Sequence, residues 1–292
     1  MTTWSRRQVV WLGLGALAAG CRPSQPVQTP GRDGARTIDA IERDVGGRVG
    51  VFALDTGSGR TLAHRADERF AMCSTFKWVL AAAVLGRVDR GELTLDQRVP
   101  FGAADLLEHA PITSARVAEG AMTIEALARA AVVVSDNPAA NLLLARIDGP
   151  AGLTRFARER GDEVTRLDRV ELALNENAPG DPRDTTSPRA MVTLMRAVLC
   201  GDALSPASRE LLIGWLRACE TGKARLRAGL PASWTAGDKT GTGTRGAVND
   251  VAIAWPPGRA PVLVAAYLSD GTSDVAALSR AHADIGRLVA RL

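Results

Sequence analysis

The chain has 292 residues, of which 46% are hydrophobic and 23% charged. That is enough to bury a sizeable core, and it lies far from the composition of disordered chains. The net charge of +4 comes entirely from residues 1–36, which hold five arginines and one aspartate. The rest carries as many acidic as basic side chains, so no phosphate-tracking surface and no nucleic-acid partner is expected.

In chain order, Ser5-Arg6-Arg7-Gln8 precedes an apolar run from Val9 to Ala19. A basic start, a short apolar stretch and small residues describe an export signal over residues 1–20, too short to span a membrane. The paired arginines resemble the twin-arginine route of bacterial export. Leu17-Ala18-Ala19-Gly20-Cys21 resembles a lipoprotein cleavage box with Cys21 as the lipidated residue, although Ala18 stands where a larger aliphatic is usual. Ordinary signal-peptidase cleavage among these alanines is the alternative. Residues 21–36, rich in Pro, Gln, Thr and Gly, read as a tether.

A helix is predicted over Thr37 to Val45. Two strands, Arg48 to Leu54 and Leu62 to Arg65, flank an Asp55-Thr56-Gly57-Ser58-Gly59 turn. Helical periodicity dominates from about Thr75 to Trp215, for example over Thr123 to Val134 and Pro188 to Leu199. It is broken by a long irregular segment from Arg166 to Thr186, and a loop of that length in a folded domain is usually functional. Strands return at Trp234 to Thr240, Val248 to Trp255 and Val262 to Ser269, before a closing helix from Asp274 to Leu292. Strands at both ends with helices between predict an α/β (α+β) fold. One antiparallel sheet of about five strands is flanked by terminal helices (37–72 and about 216–292), and a helical lobe spans about 73–215. A ligand cleft is expected between the two.

Only three of the 36 basic residues are lysine, and two of them open or close short motifs. An amine can shed its proton when desolvated, whereas a guanidinium in practice cannot. In Ser74-Thr75-Phe76-Lys77, a helix starting near Ser74 would place Lys77 on the same face one turn later, within reach of the hydroxyl. An N-cap serine beside a surface lysine is the plainer reading of that motif taken alone. Ser135-Asp136-Asn137 follows an apolar helix, and Lys239-Thr240-Gly241 ends a strand-like run.

In their order and separation the three motifs resemble the class A serine β-lactamases, within the penicillin-recognising serine enzymes, over residues 37–292. The long loop fits the same pattern: Arg169-Val170-Glu171-Leu172-Ala173-Leu174-Asn175 is followed by Asp181-Pro182-Arg183-Asp184. The resemblance implies hydrolysis of penicillins and cephalosporins through an acyl ester on Ser74. Lys77, or Glu171 through a water, would take the serine proton. Ser135 would relay a proton to the leaving nitrogen with help from Lys77 and Lys239. Glu171 and Asn175 would hold the deacylating water, with Arg169 and Asp184 bracing their loop. The backbone amides of Ser74 and Thr242 would form the oxyanion hole. Asn137 would bind the substrate's side-chain amide, and Lys239, Thr240, Gly241 and Thr242 would line the carboxylate site.

The chain departs from many relatives in three places. Val248 stands where an arginine usually holds the carboxylate, and Arg225, in Thr221-Gly222-Lys223-Ala224-Arg225, is the expected substitute. His109 replaces a rim aromatic. Cys73 faces Gly243 rather than a second cysteine, so the disulfide of some members cannot form.

The remaining cysteines, Cys200 and Cys219, are expected to pack structurally like Cys73. His64, His109 and His282 lack metal-ligand spacing, and no cofactor is expected. Gly241-Thr242-Gly243-Thr244-Arg245-Gly246 satisfies a dinucleotide-binding pattern, but a strand follows it instead of a helix. A monomer is expected, reaching a membrane only through Cys21. A D-Ala-D-Ala peptidase or a non-enzymatic cell-wall-binding lipoprotein are the competing functions.

Overall fold

The computed structural model describes residues 37–292. The export signal, the tether and Cys21 lie outside the described residues. Helix α1 (Ile38–Val45) begins at Thr37, whose hydroxyl accepts from Ala40 N; an N-cap of this kind satisfies one of the orphan donors of a first turn. Strands β1 (Arg48–Asp55) and β2 (Thr61–His64) form the expected hairpin, and β3 is the short pair Phe70–Ala71. A 3-10 turn over Cys73–Thr75 leads into α2 (Phe76–Asp89). The run Lys77 to Gly86 of α2 is buried on every side, as expected of a helix that is apolar all round.

Strand β4 (Arg98–Pro100) pairs with β5 (Ala121–Thr123). Three helices follow, α3 (Ile124–Val133), α4 (Asn137–Leu144) and α5 (Gly149–Arg158). The irregular segment ends in β6 (Thr185–Thr186), which pairs with β3. After α6 (Pro188–Met195) the backbone widens into a π-helical turn, Arg196–Cys200, so the single helix expected to Leu199 is two segments. Helices α7 (Pro206–Arg217) and α8 (Leu226–Gly229) precede β7 (Thr235–Thr242), β8 (Val248–Trp255), β9 (Val262–Ser269) and α9 (Val275–Val289).

Among the described residues the largest sheet has five strands in the order β2-β1-β9-β8-β7, antiparallel throughout. Both of its faces are covered. Leu263, Ala265 and Tyr267 of β9 join α2, α3 and α7 in one core, whereas Val262, Val264, Ala266 and Leu268 join α1 and α9 in the other. This explains why β9 reads as a continuous apolar run and not as an alternation. The expected fold class is thus borne out. The helical stretch differs from expectation by holding the two-stranded β4–β5 sheet and strand β6, which pairs with β3 just ahead of it. Strands of two or three residues carry too little pattern to be seen against helical periodicity.

Cys73 and Cys219 are buried and Cys200 is exposed, all with free thiols. The expectation that all three pack structurally is corrected for Cys200, which sits at the end of the π-helical turn.

Candidate active site

The turn before α2 puts Ser74 at the floor of a cleft of about 500 Å³, lined also by His109, Ser135, Asn137, Asn175, Arg225, Thr240 and Thr242. Cys73, just ahead of the serine, has a left-handed φ of 45°, and Ser135 one of 63°. Non-glycine residues in that region are uncommon and cluster at functional sites. Strand β7 runs hard against the serine. A Cβ on Gly241 would lie 2.7 Å from Met72 O and 3.1 Å from Ser74 N, so only glycine allows this approach. The amide of Ser74 and the end of β7 at Thr242 thereby border one space, as an oxyanion hole requires.

Lys77 is completely buried, and its Nζ reaches three strong acceptors: Ser135 O at 2.8 Å, Asn137 Oδ1 at 2.5 Å and Glu171 Oε1 at 2.9 Å. Three acceptors match the three N–H bonds of an ammonium. Burial pushes the Lys77 ammonium below the ordinary lysine value, and the Glu171 carboxylate opposes that shift. Ser74 Oγ donates to the same Glu171 Oε1 at 3.3 Å. Serine and lysine therefore meet at one carboxylate oxygen.

Glu171 is itself held from two sides. Asn175 Nδ2 donates to its Oε2 at 2.6 Å, and Asn175 Oδ1 is buried without a protein partner. On α4, Asn141 grips the Glu171 backbone: its Oδ1 accepts from Glu171 N at 3.0 Å and its Nδ2 donates to Glu171 O at 2.9 Å. Asn141 was not among the expected site residues. It lies four positions after Asn137, on the same helix face, and that spacing was the available signal. Arg169 Nε meets Asp184 Oδ2 at 2.6 Å, and Asp184 Oδ1 accepts from the amides of Asp168 and Arg169, which closes the loop on itself.

Across the cleft, Ser135 Oγ accepts from Lys239 Nζ at 3.0 Å and from Lys77 Nζ at 3.4 Å, linking the two lysines. Lys239 is fully buried, and burial brings its ammonium down to about 8, with the charge of Lys77 adding to the effect. A histidine at the rim is present as expected: His109 Nε2 lies 2.8 Å from Val134 O, which pins the ring to the end of α3. Asp136 caps α4 through Ala139 N and accepts from the amides of Ile112 and Thr113, fixing the loop that carries His109.

A family model described as the beta-lactamase enzyme family matches residues 34–292. The chain belongs to this family. Beta-lactamase L2 of Stenotrophomonas maltophilia is 47% identical over 282 residues, covering 96% of this chain and 93% of L2. A carbapenem-hydrolyzing beta-lactamase KPC from Klebsiella oxytoca is 49% identical over 234 residues, covering 80% of each. An ancestral (GNCA) class A β-lactamase structure superposes with a TM-score of 0.85 at 56% identity, covering 87% of this chain and 97% of the ancestral one. The chain is a class A serine β-lactamase.

In this β-lactamase Val248 and Arg225 differ sharply in what they present to the cleft. Val248 points into the core beneath α9 and is 1% exposed, so that position offers the cleft nothing. Arg225 enters from the turn before α8. Its Nη1 donates to Gly241 O at 2.9 Å and Asn249 O at 2.6 Å, and its Nη2 to Thr242 Oγ1 at 2.7 Å. A surface arginine is ruled out, because only 7% of it is exposed. Lys223, two residues away, is exposed. Two further residues escaped sequence reasoning. Thr221 Oγ1 lies 2.6 Å from Thr240 Oγ1 at the cleft wall, and Asn249 Nδ2 ties β8 to Ala71 O at 2.9 Å and Met72 O at 3.2 Å. Asn249 was marked only by being one of two adjacent polar residues, with Asp250, in a largely apolar strand.

The Cys73 Sγ sits 2.6 Å from where a Gly243 Cβ would be, so the missing partner cysteine leaves the thiol against bare backbone. Burial pushes that thiol up to about 12, which keeps it unreactive. The glycine-rich pattern at 241–246 forms the end of β7 and the turn into β8. His282 is buried against Val248 O, and His64 lies beside Asp39 and Glu42, far apart in the sequence and on different elements.

Proposed function

We propose that Ser74 is the nucleophile that opens the β-lactam ring and that Glu171 activates the water that releases the product. The observation that carries this is the single oxygen, Glu171 Oε1, shared by Ser74 and Lys77. Before Lys77 can accept the serine proton it must give one up, and Glu171 is the acceptor in contact. A proton passed from Lys77 to Glu171 leaves a neutral amine able to deprotonate Ser74. Attack then puts negative charge on the carbonyl oxygen between the amides of Ser74 and Thr242. Ser135, bridged to Lys77 and Lys239, hands a proton to the leaving nitrogen. Lys77 passes the serine proton on to Ser135 and then takes back the proton held by Glu171; with that carboxylate restored, the free Asn175 Oδ1 together with Glu171 Oε2 offers two acceptors to the deacylating water. Asn137 and His109 border the substrate's side chain, while Thr240, Thr242, Lys239 and Arg225 face its carboxylate.

The test is the purified domain with a chromogenic cephalosporin, followed by peptide mapping of any adduct. Many turnovers with an acyl ester on Ser74 are expected. A stoichiometric, long-lived ester would instead make the chain a penicillin-binding peptidase, and no adduct at all would make it a binding protein. The sequence also supports an exported monomer anchored at a lipidated Cys21, and a diacylglyceryl mass on the mature N-terminus checks that.

Two consequences are measurable. Arg225→Ala removes a guanidinium aimed at the carboxylate, a charge-assisted interaction of about 1.5–3 kcal/mol. KM for penicillins should therefore rise roughly tenfold to a hundredfold with a smaller change in kcat. Lys239 holds its charge below about 8 and loses it above. Both carboxylate binding and the Ser135 relay use the charged form, so kcat/KM should fall as pH rises through that value. Lys239→Arg should move this alkaline limb upward, and an unmoved limb would assign it to another group.

A further inference from the structure

The hairpin joining β7 to β8 touches the loop that carries Glu171 through a small set of polar contacts. Thr244 N donates to Asn175 O at 3.0 Å, and Thr244 Oγ1 to the same oxygen at 3.3 Å and to Glu176 O. From the other side, Asn177 Nδ2 donates to Thr244 O at 3.3 Å, to Arg245 O at 3.4 Å and to Ser269 Oγ at 3.0 Å. Asn177 has a left-handed φ of 49°, a conformation asparagine tolerates better than most residues. Each residue therefore grips the other's segment. Asn175 is the residue caught between them. Its backbone oxygen is held by Thr244, while its side chain holds Glu171 Oε2 at 2.6 Å. Space is tight on the same side, because a Cβ on Gly243 would lie 2.7 Å from Asn175 O.

We propose that Thr244 and Asn177 form a latch that positions Asn175, and through it Glu171, for deacylation. The proposal rests on the hydrolase reading above. Neither residue touches Ser74 or Lys77, so the latch acts on the step that needs the Glu171–Asn175 pair most closely aligned. Small displacements of a positioned base cost rate steeply. Acylation uses Glu171 only to take the Lys77 proton across a 2.9 Å contact, and otherwise draws on Lys77, Ser135 and Lys239, which are anchored to α2, the end of α3 and β7.

The experiment compares wild type, Thr244→Val, Asn177→Asp and Thr244→Ser on a chromogenic cephalosporin, with stopped-flow acylation, steady-state kcat and the acylated fraction by intact mass. The valine side chain cannot replace the hydroxyl's contacts with Asn175 O and Glu176 O, leaving only the residue's backbone amide on Asn175 O, and an aspartate carboxylate cannot donate to Thr244 O or Arg245 O. For both, kcat is expected to fall about tenfold while acylation changes less than about twofold, with acyl-enzyme accumulating. Thr244→Ser keeps the hydroxyl and should restore rapid deacylation. The proposal is overturned if acylation slows as much as deacylation, or if kcat is unchanged in the two disabling variants. These attack the latch from opposite sides, so a variant that fails to fold leaves the other to decide. Absence of turnover in wild type would instead refute the hydrolase reading itself.

Discussion

Glu171→Ala is expected to stall the enzyme as its Ser74 ester, with kcat down about a thousandfold, within the range a positioned general base supplies. Intact-mass measurement should show nearly all the protein carrying the opened β-lactam. Acylation should fall by less than turnover does. With the carboxylate gone, burial at Lys77 is opposed only by the smaller effect of Asp136, so the amine shifts towards its neutral form and can take the serine proton unaided. Water, by contrast, would be left with Asn175 alone, and an amide cannot accept the proton that hydrolysis releases. Normal turnover in this variant would show that the water is activated elsewhere.

Lys77→Arg is the complementary case, and its effect should fall on the first step. The side chain is completely enclosed, with Ser135 O, Asn137 Oδ1 and Glu171 Oε1 all within 2.9 Å of Nζ. A guanidinium preserves the charge but cannot give up a proton to Glu171, so no neutral base forms beside Ser74. Single-turnover acylation should drop by about a thousandfold or more. The larger group must also displace packed neighbours, at a cost of about 1–3 kcal/mol of stability. A folded variant that still acylates rapidly would locate the base at Glu171. The two variants thus separate the two steps: one accumulates acyl-enzyme, the other never makes it.

Much of this site could be read from the chain because its parts are short and local. Ser74 and Lys77 are one turn apart, and Glu171 and Asn175 sit in one loop segment. What joins them is not local. The bridge Lys77–Ser135–Lys239 links residues far apart in sequence, and nothing in their spacing specifies it. Only the family resemblance points to their meeting. Arg225 was proposed as a carboxylate ligand, but its burial between Gly241 O, Asn249 O and Thr242 depends on a turn whose path no periodicity encodes. The predicted end of β7 at Thr240 was two residues short, since the pairing of Gly241 with Asn249 and of Thr242 with Val248 is imposed by β8 against glycine's weak strand preference. Asn141, Asn249 and Thr244 were missed for a common reason. Their partners are backbone groups, which carry no sequence signature.

The position of β9 has a consequence for how the protein is made. This strand, drawn from the last part of the chain, lies in the middle of the sheet and pairs along its whole length with β1, from the first. Until β9 is synthesised, β1 and β2 have nothing to pair with on their inner edge, and β7 and β8 have no link to them. The lysine, glycine and threonines of β7 cannot be set against Ser74 before that happens. Folding dominated by such distant pairings is slow, and a nascent chain cannot complete this sheet domain by domain from its N-terminus. Loss of the final two elements, by premature termination or by proteolysis, should therefore abolish the fold as a whole and not trim it, leaving no partially active fragment.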